Sequence, residues 1–221
     1  MTEPDRRGPV PVGIHRAGDR GWLVDVPADL IRPLTDRLAV GPWAERLAAV
    51  VPAAATVLVT VRDATDMPSL RTHLAGLVEP GAFTTAGTGP AATVAELVVP
   101  VRYDGPDLAE VARRCGCSVD AVVAAHTGAV HTVGFFGFAP GFAYLDGLPA
   151  ALALPRRDDP RTSIDAGTVA IAGRQSIVYP GGTPGGWHLL GHTDVRLWDL
   201  DRDPPALLAV GDRVRFRAAG Q

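Results

Sequence analysis

Apolar positions along the chain change their spacing about halfway. In the first half the pattern alternates between short strands and helices. "GWLVDV" (21–26) reads as a strand. "ADLIRPLTDRLAV" (28–40) places Leu30, Ile31, Leu34 and Leu38 at helical spacing, with Pro33 near its first turn. "PWAERLAAVV" (42–51) reads as another helical turn or two. "TVLVTV" (56–61) is a strand rich in β-branched residues. "MPSLRTHLAGLV" (67–78) returns to helical spacing at Leu70, Leu74 and Leu77. The stretch 79–96 is small, polar and broken by Gly and Pro, which marks a domain boundary. The expected division is an α+β domain over 1–90 and a mainly β domain over 91–221.

The second half opens with "LVVPVRY" (97–103), a strand whose Pro100 suits an edge or a bulge. From residue 131 nearly every segment reads as strand or turn: "HTVGFFGF", 168–173, 175–180, 187–193, 195–200 and 212–218. Gly and Pro separate them at short intervals, the pattern of a closed or nearly closed β barrel. Between these parts, "DLAEVARRCGCSVDAVVAAHTG" (107–128) has the form of a helix-turn-helix, with Gly116 at the turn and Ser118 capping the second helix. That second helix carries no arginine or amide side chain to read bases. A helical hairpin packed on the barrel is the better account.

Composition removes several chemistries. The 221 residues are 47% hydrophobic, enough for a real core, and the formal charge of −3 points to no polyanion partner. There is no lysine and no asparagine, and all 21 basic residues are arginine. A Schiff-base lysine, a P-loop lysine and a biotinyl-lysine within these residues are excluded. No apolar run reaches membrane-spanning length and the N-terminus shows no apolar leader, so a cytoplasmic location is expected. Cys115 and Cys117 are too close for an easy bridge and read as free thiols.

Four stretches attract attention as candidate chemistry. "GFFGFAPGFAYLDGLP" (134–149) holds four of the six phenylalanines and breaks them with Pro140-Gly141. "LPRRDDPRTS" offers Arg156, Arg157 and Arg161, either a solvated loop with local ion pairs or a bidentate clamp for a carboxylate or phosphate. "YPGGTPGGWHLLG" (179–191) allows close backbone approach to a ligand, and Trp187 reads as core or as a stacking wall. His188 and His192 lie four apart on what reads as a strand, so ordinary hydrogen-bonded roles are favoured over metal binding. No Ser-His-Asp arrangement stands out, and no metal site is expected.

Taken together, "LVVPVRYDGPDLAEVA", "AHTGAVHTVGFFGFAPGFAYLDGLP", "LPRRDDPRTSIDAGTVAIAGRQSIVYPGGTPGGWHLLGHT" and "LLAVGDRVRF" resemble the family of 5-oxoprolinase B subunits. That family is also known as the allophanate hydrolase first-subunit or sporulation kinase-inhibitor family. The resemblance covers about residues 97–217, and "HRAGDRGWLVDV" (15–26) is similar to its opening motif. Departures are His131, where the family often has an aromatic, and Thr183, where it often has serine.

The resemblance implies a small N-terminal α/β sandwich-like domain followed by a cyclophilin-like β barrel. It implies a homologous larger subunit, ATP with magnesium held by the complex, and a third hydrolase subunit that completes conversion of 5-oxoproline to glutamate. The alternatives it carries are inhibition of a sensor histidine kinase and carboxyl transfer related to urea carboxylase. The expected substrate pocket is lined by Phe138, Phe142 and Tyr144, with Arg156, Arg157, Arg161, Gly185, Gly186 and Trp187 converging and Gln175 and His188 supplying hydrogen bonds. Pro140-Gly141 is expected to turn the chain at the barrel mouth. The catalytic residues are left open.

Overall fold

The computed structural model describes residues 13–79 and 96–220, so the expected boundary at 79–96 lies almost wholly outside them. The chain divides into two compact units, Met1–Ala92 and Thr93–Gln221.

The first unit is a two-layer α/β sandwich. Strands β1 (Ile14–Ala17), β2 (Gly21–Asp25), β3 (Leu47–Pro52) and β4 (Thr56–Val61) form an antiparallel sheet in the order β1-β2-β4-β3. Alternation on β4 buries Val57, Val59 and Val61 and leaves the residues between them half-covered. The buried face receives helix α1 (Ala28–Val40) through Leu34 and Leu38, and helix α2 (Met67–Val78) through Leu70 and Leu74. Each of these leucines is worth roughly 1.5–3 kcal/mol of burial. Residues 47–52 are a strand, not the helical turns expected over 42–51. One turn of helical spacing is a weak signal, and the β-branched pair Val50-Val51 fits the pleat where Val50 faces Val59 of β4.

The second unit is a barrel-like sheet of seven strands in the order β12-β9-β10-β7-β6-β13-β5. The strands are β5 (Glu96–Val101), β6 (His131–Phe136), β7 (Ala143–Asp146), β9 (Thr168–Ala172), β10 (Gln175–Val178), β12 (His188–His192) and β13 (Arg213–Ala218). All neighbours are antiparallel except β13 and β5. The two ends of the sheet meet where Arg102 and His192 exchange backbone hydrogen bonds of 2.8 Å in both directions. The expected barrel architecture is therefore present. Val99, Val133, Leu145, Val169 and Val214 fill its interior. A two-stranded ribbon of β8 (Arg161–Ile164) and β11 (Thr183–Gly185) is also present, and Ile164 packs with Ala170, Ile177 and Leu189 from the outer faces of the main sheet.

The expected helical hairpin is α3 (Leu108–Cys115) and α4 (Val119–Gly128). Gly116 adopts φ 66° at the turn, a conformation that costs glycine little, and Ser118 Oγ accepts the amide of Ala121. Leu108, Val111 and Val122 pack against Leu148, Ile171 and Leu190. Residues 195–200, whose alternation predicts a strand, are irregular. Their pairing is limited to a short stretch: Trp198 bridges to Ala206, Leu207 donates to the Leu197 carbonyl at 2.9 Å, and Asp199 donates to the Pro205 carbonyl at 3.0 Å. Asp-Pro turns so soon after it leave this segment no long partner, and it forms a strap instead.

Candidate functional site

Strand register sorts the candidate residues by height in the barrel. Gln175 pairs with Asp146 and Ala172, whereas Val178 pairs with Val169 and Thr168 with His192. The first set marks one end of the barrel, the second the other. The Pro140-Gly141 turn joins β6 to β7 at the second end, beside Val178, Gly167 and His192. His188 and Gln175 lie toward the first end, so the structure does not bring them to the turn.

The aromatic residues form a continuous ladder. Phe135 stacks on Tyr144 at 4.3 Å; Tyr144 lies 5.0 Å from Phe142; Phe142 meets Phe138 at 5.3 Å and Tyr179 at 5.5 Å. Tyr144 also lies 5.9 Å from Trp187, whose other neighbour is the Arg156 guanidinium at 5.6 Å from its ring. Phe142 and Trp187 are buried and serve as core, whereas Phe138 is 63% exposed at φ 67°. A left-handed, solvent-facing phenylalanine costs on the order of 1–3 kcal/mol and is uncommon outside functional surfaces. Burial pushes the Tyr179 phenol up to about 12 and also raises Tyr144, with Arg156 pulling both back. Both stay neutral hydrogen-bond donors at ordinary pH. Gly185 is required where it stands because a Cβ there would overlap the Tyr179 hydroxyl, and the carbonyl of Gly186 accepts the Arg157 amide at 2.7 Å.

The arginine clamp grips the chain itself. Asp107, buried at the start of α3, accepts Arg161 Nη1 at 2.9 Å and Nη2 at 2.8 Å, Arg157 Nη1 at 3.1 Å and the Leu189 amide at 2.8 Å. Burial alone would raise this carboxyl, but the hydrogen bonds from Arg161 and Leu189 and the two positive charges hold it below the usual range. Of the three arginines read as an anion clamp, Arg157 and Arg161 are thus taken by Asp107. Arg156 has no carboxylate partner among the described residues. His188 is spent on the Pro155 carbonyl at 2.9 Å, and Gln175 on Asp146 at 2.8 Å.

A second polar group lies inside the barrel and has no signature in the sequence. His126 is fully buried, with Nδ1 2.7 Å from the Tyr103 hydroxyl and Nε2 3.0 Å from Ser176 Oγ. Its ring stacks on Phe216 at 4.5 Å, and His131 lies 5.1 Å away. Burial lowers His126 to about 3 and lowers His131 too, so both are neutral. Ser176 is as deeply enclosed, which makes this a structural network rather than a nucleophile and its base.

Open space lies at the Gly141 end. One cleft of about 530 Å³ is bordered by Gly141, Tyr179, His192, Asp194, Arg196 and Trp198. A second, of about 480 Å³, is bordered by Phe136, Phe138, Pro140 and again Gly141 and Trp198. Trp198 stands between them. It packs onto Gly141, where φ is 74° and a Cβ would overlap the Trp198 Cβ. Of the residues expected to bind substrate, only Phe138 borders either cleft. Among the described residues no group of three or more His, Cys, Asp or Glu is gathered to hold a metal ion, and no helix is long and apolar enough to cross a membrane.

Comparison with known proteins agrees with this fold. The chain matches the family described as carboxyltransferase domain, subdomain C and D, over residues 12–208. It is 52% identical over 121 residues to the B subunit of 5-oxoprolinase from Escherichia coli O157:H7, covering 53% of this chain and 56% of that protein. It is 47% identical over 121 residues to the B subunit of 5-oxoprolinase from Bacillus subtilis (strain 168), covering 53% of this chain and 50% of that one. Each match thus spans about half the length of the curated relative. The crystal structure of TTHA0988 is similar with TM-score 0.71 at 36% identity, over 91% of this chain and 40% of that chain. The Kluyveromyces lactis urea carboxylase shares the fold, with TM-score 0.66 at 17% identity over 95% of this chain and 22% of that one. The chain belongs to the carboxyltransferase domain family, subdomains C and D, and within it resembles the proteins named as the B subunit of 5-oxoprolinase.

Proposed function

We propose that this chain is one subunit of a cytoplasmic, ATP-dependent 5-oxoprolinase that opens the ring of 5-oxoproline to give glutamate. The carrying observation is its 52% identity over 121 residues to a protein of that name. The site geometry supports a shared rather than a self-contained catalyst. Among the described residues the buried Ser176–His126 pair is sealed in the core, and neither open cleft brings a nucleophile and a base together. A homologous larger subunit and a third hydrolase subunit complete the reaction in this reading.

The described residues do not by themselves fit a magnesium nucleotide. No lysine exists to meet a triphosphate, and no cluster of acidic groups is present among them to hold the ion. ATP is therefore assigned to the assembled complex, and no step is derived through it. A second reading, carboxyl transfer, is favoured by the description of the matched family. It requires a biotinyl carrier from elsewhere, because the sequence has no lysine.

The test is to measure 5-oxoproline-dependent ATP hydrolysis for this chain, for the larger subunit and for their mixture. The expected outcome is activity in the mixture that falls to background when this chain is left out. Activity that never needs this chain removes the reading. Carboxyl transfer from carboxybiotin in place of ring opening supports the second.

A further inference from the structure

We propose that the 530 Å³ cleft beside the Gly141 turn is a binding site, complete within this chain, for a small organic carboxylate. Arg196 is its anion partner and Trp198 the wall for the ligand's apolar body. That the carboxylate is 5-oxoproline rests on the function proposed above; the site does not.

The volume falls within the range of small-molecule sites. Charge around it is asymmetric. The Asp194 carboxylate is held by Arg102 at 3.1 Å and lies 3.8 Å from His192 Nε2. Arg196 has no carboxylate partner among the described residues. One negative charge is thus answered from outside the cleft, and a guanidinium is left over. A guanidinium at the border of a partly enclosed space is able to reach a carboxylate there and bind it in bidentate fashion.

The backbone at Arg196 is held in place, while its side chain is exposed. Its carbonyl accepts Arg202 Nη2 at 3.2 Å. Thr193, three residues before it, donates its amide to Gly167 at 2.8 Å and is buried. Leu197, just after it, accepts the Leu207 amide at 2.9 Å. A backbone pinned on both sides of a free guanidinium reduces the ordering cost of binding. Opposite chemistry is supplied chiefly by the half-buried Trp198, with small edges of the buried Tyr179, Val178 and Leu197 reaching the same lining, and it suits an apolar ring or chain. His192, 34% exposed, adds one further hydrogen-bonding group. A phosphate is the poorer match, because its greater charge draws several cationic or backbone donors, and this wall offers one unpaired arginine.

The experiment is equilibrium binding to the full chain of three probes: L-5-oxoproline, benzoate and 2-pyrrolidinone, the last a ring amide without a carboxylate. The expected result is binding of L-5-oxoproline, weakened roughly tenfold or more by Arg196→Gln. Trp198→Phe, which keeps a ring and protects folding, weakens it less, and 2-pyrrolidinone does not bind. Thermal melting of each variant confirms the fold. Binding of benzoate but not L-5-oxoproline, still dependent on Arg196, keeps the site and counts against the 5-oxoprolinase reading. The site is overturned if no probe binds at millimolar concentration, if 2-pyrrolidinone binds as well as the acids, or if Arg156→Gln rather than Arg196→Gln abolishes binding.

Discussion

Two places in the barrel unit hold arginines near aromatic rings, and they behave in opposite ways. At Asp107 the charges are matched and enclosed: two guanidiniums and a backbone amide converge on one buried carboxylate. At Gly141 the walls stand apart, and Arg196 borders a cleft with no carboxylate paired to it among the described residues. Residue type does not separate the two. What separates them is whether the fold delivers a counter-charge from far along the chain. Asp107 stands 50 and 54 residues before the arginines it binds. It ties α3, the 155–161 loop and β12 together, a role that a surface clamp lacks.

The sharpest way to break this contrast is Asp107→Asn. The substitution keeps the shape but leaves two arginines partly buried without their carboxylate, which costs about 3 kcal/mol. Urea denaturation measures it. Arg196→Gln, at an exposed site, is expected to stay within about 0.5 kcal/mol of the parent. Equal effects from the two variants would mean that the Asp107 cluster is as dispensable as a surface charge.

The buried imidazoles belong with the closed side of the comparison, and pH exposes them. Burial lowers His126 to about 3 from an unfolded value near 6.5, and lowers His131 in the same direction. The unfolded chain therefore takes up protons first as pH falls. The stability from neutral, enclosed rings is fully present above pH 6.5 and is lost progressively toward pH 3. Unfolding free energy is expected to drop by roughly 2–4 kcal/mol between pH 7 and pH 4. Asp107, held below its ordinary range, adds to the loss only at the acid end. His126→Gln is expected to be less stable at pH 7 and to show a shallower fall. An unchanged slope would place the proton uptake elsewhere.

What the sequence discloses follows the range of the interactions involved. Helices α1 and α2, strand β4 and the Gly116–Ser118 turn are written in local spacing and capping, and all are present. β3 reads as helix in isolation because its strand character comes from Val59 and its neighbours across the sheet. Residues 195–200 err in the reverse sense: the alternation is there but no long partner strand is. The Tyr103–His126–Ser176 network joins three distant segments and has no local signature. Arg196 and Trp198 look like ordinary strand residues. The usable signal is "VRLWDLDRDPP", where an arginine and a tryptophan two residues apart run directly into an Asp-Pro turn that denies them a long strand's pairing.

The open side is sharpened by the smallest change, Gly141→Ala. At φ 74° alanine is strained, and its methyl would overlap the Trp198 Cβ, so the strap must yield or the turn must move. The combined cost is roughly 1–3 kcal/mol. The more telling reading is local. The chain has four tryptophans, and Trp22 and Trp43 lie in the first unit. The indole N–H resonance of Trp198 is expected to shift strongly, with those two unmoved and the two clefts altered together, because Trp198 divides them. If the Trp198 signal holds its place while stability falls, the tryptophan does not rest on this glycine. The two clefts then have independent walls, and Gly141 is needed for its backbone angle alone.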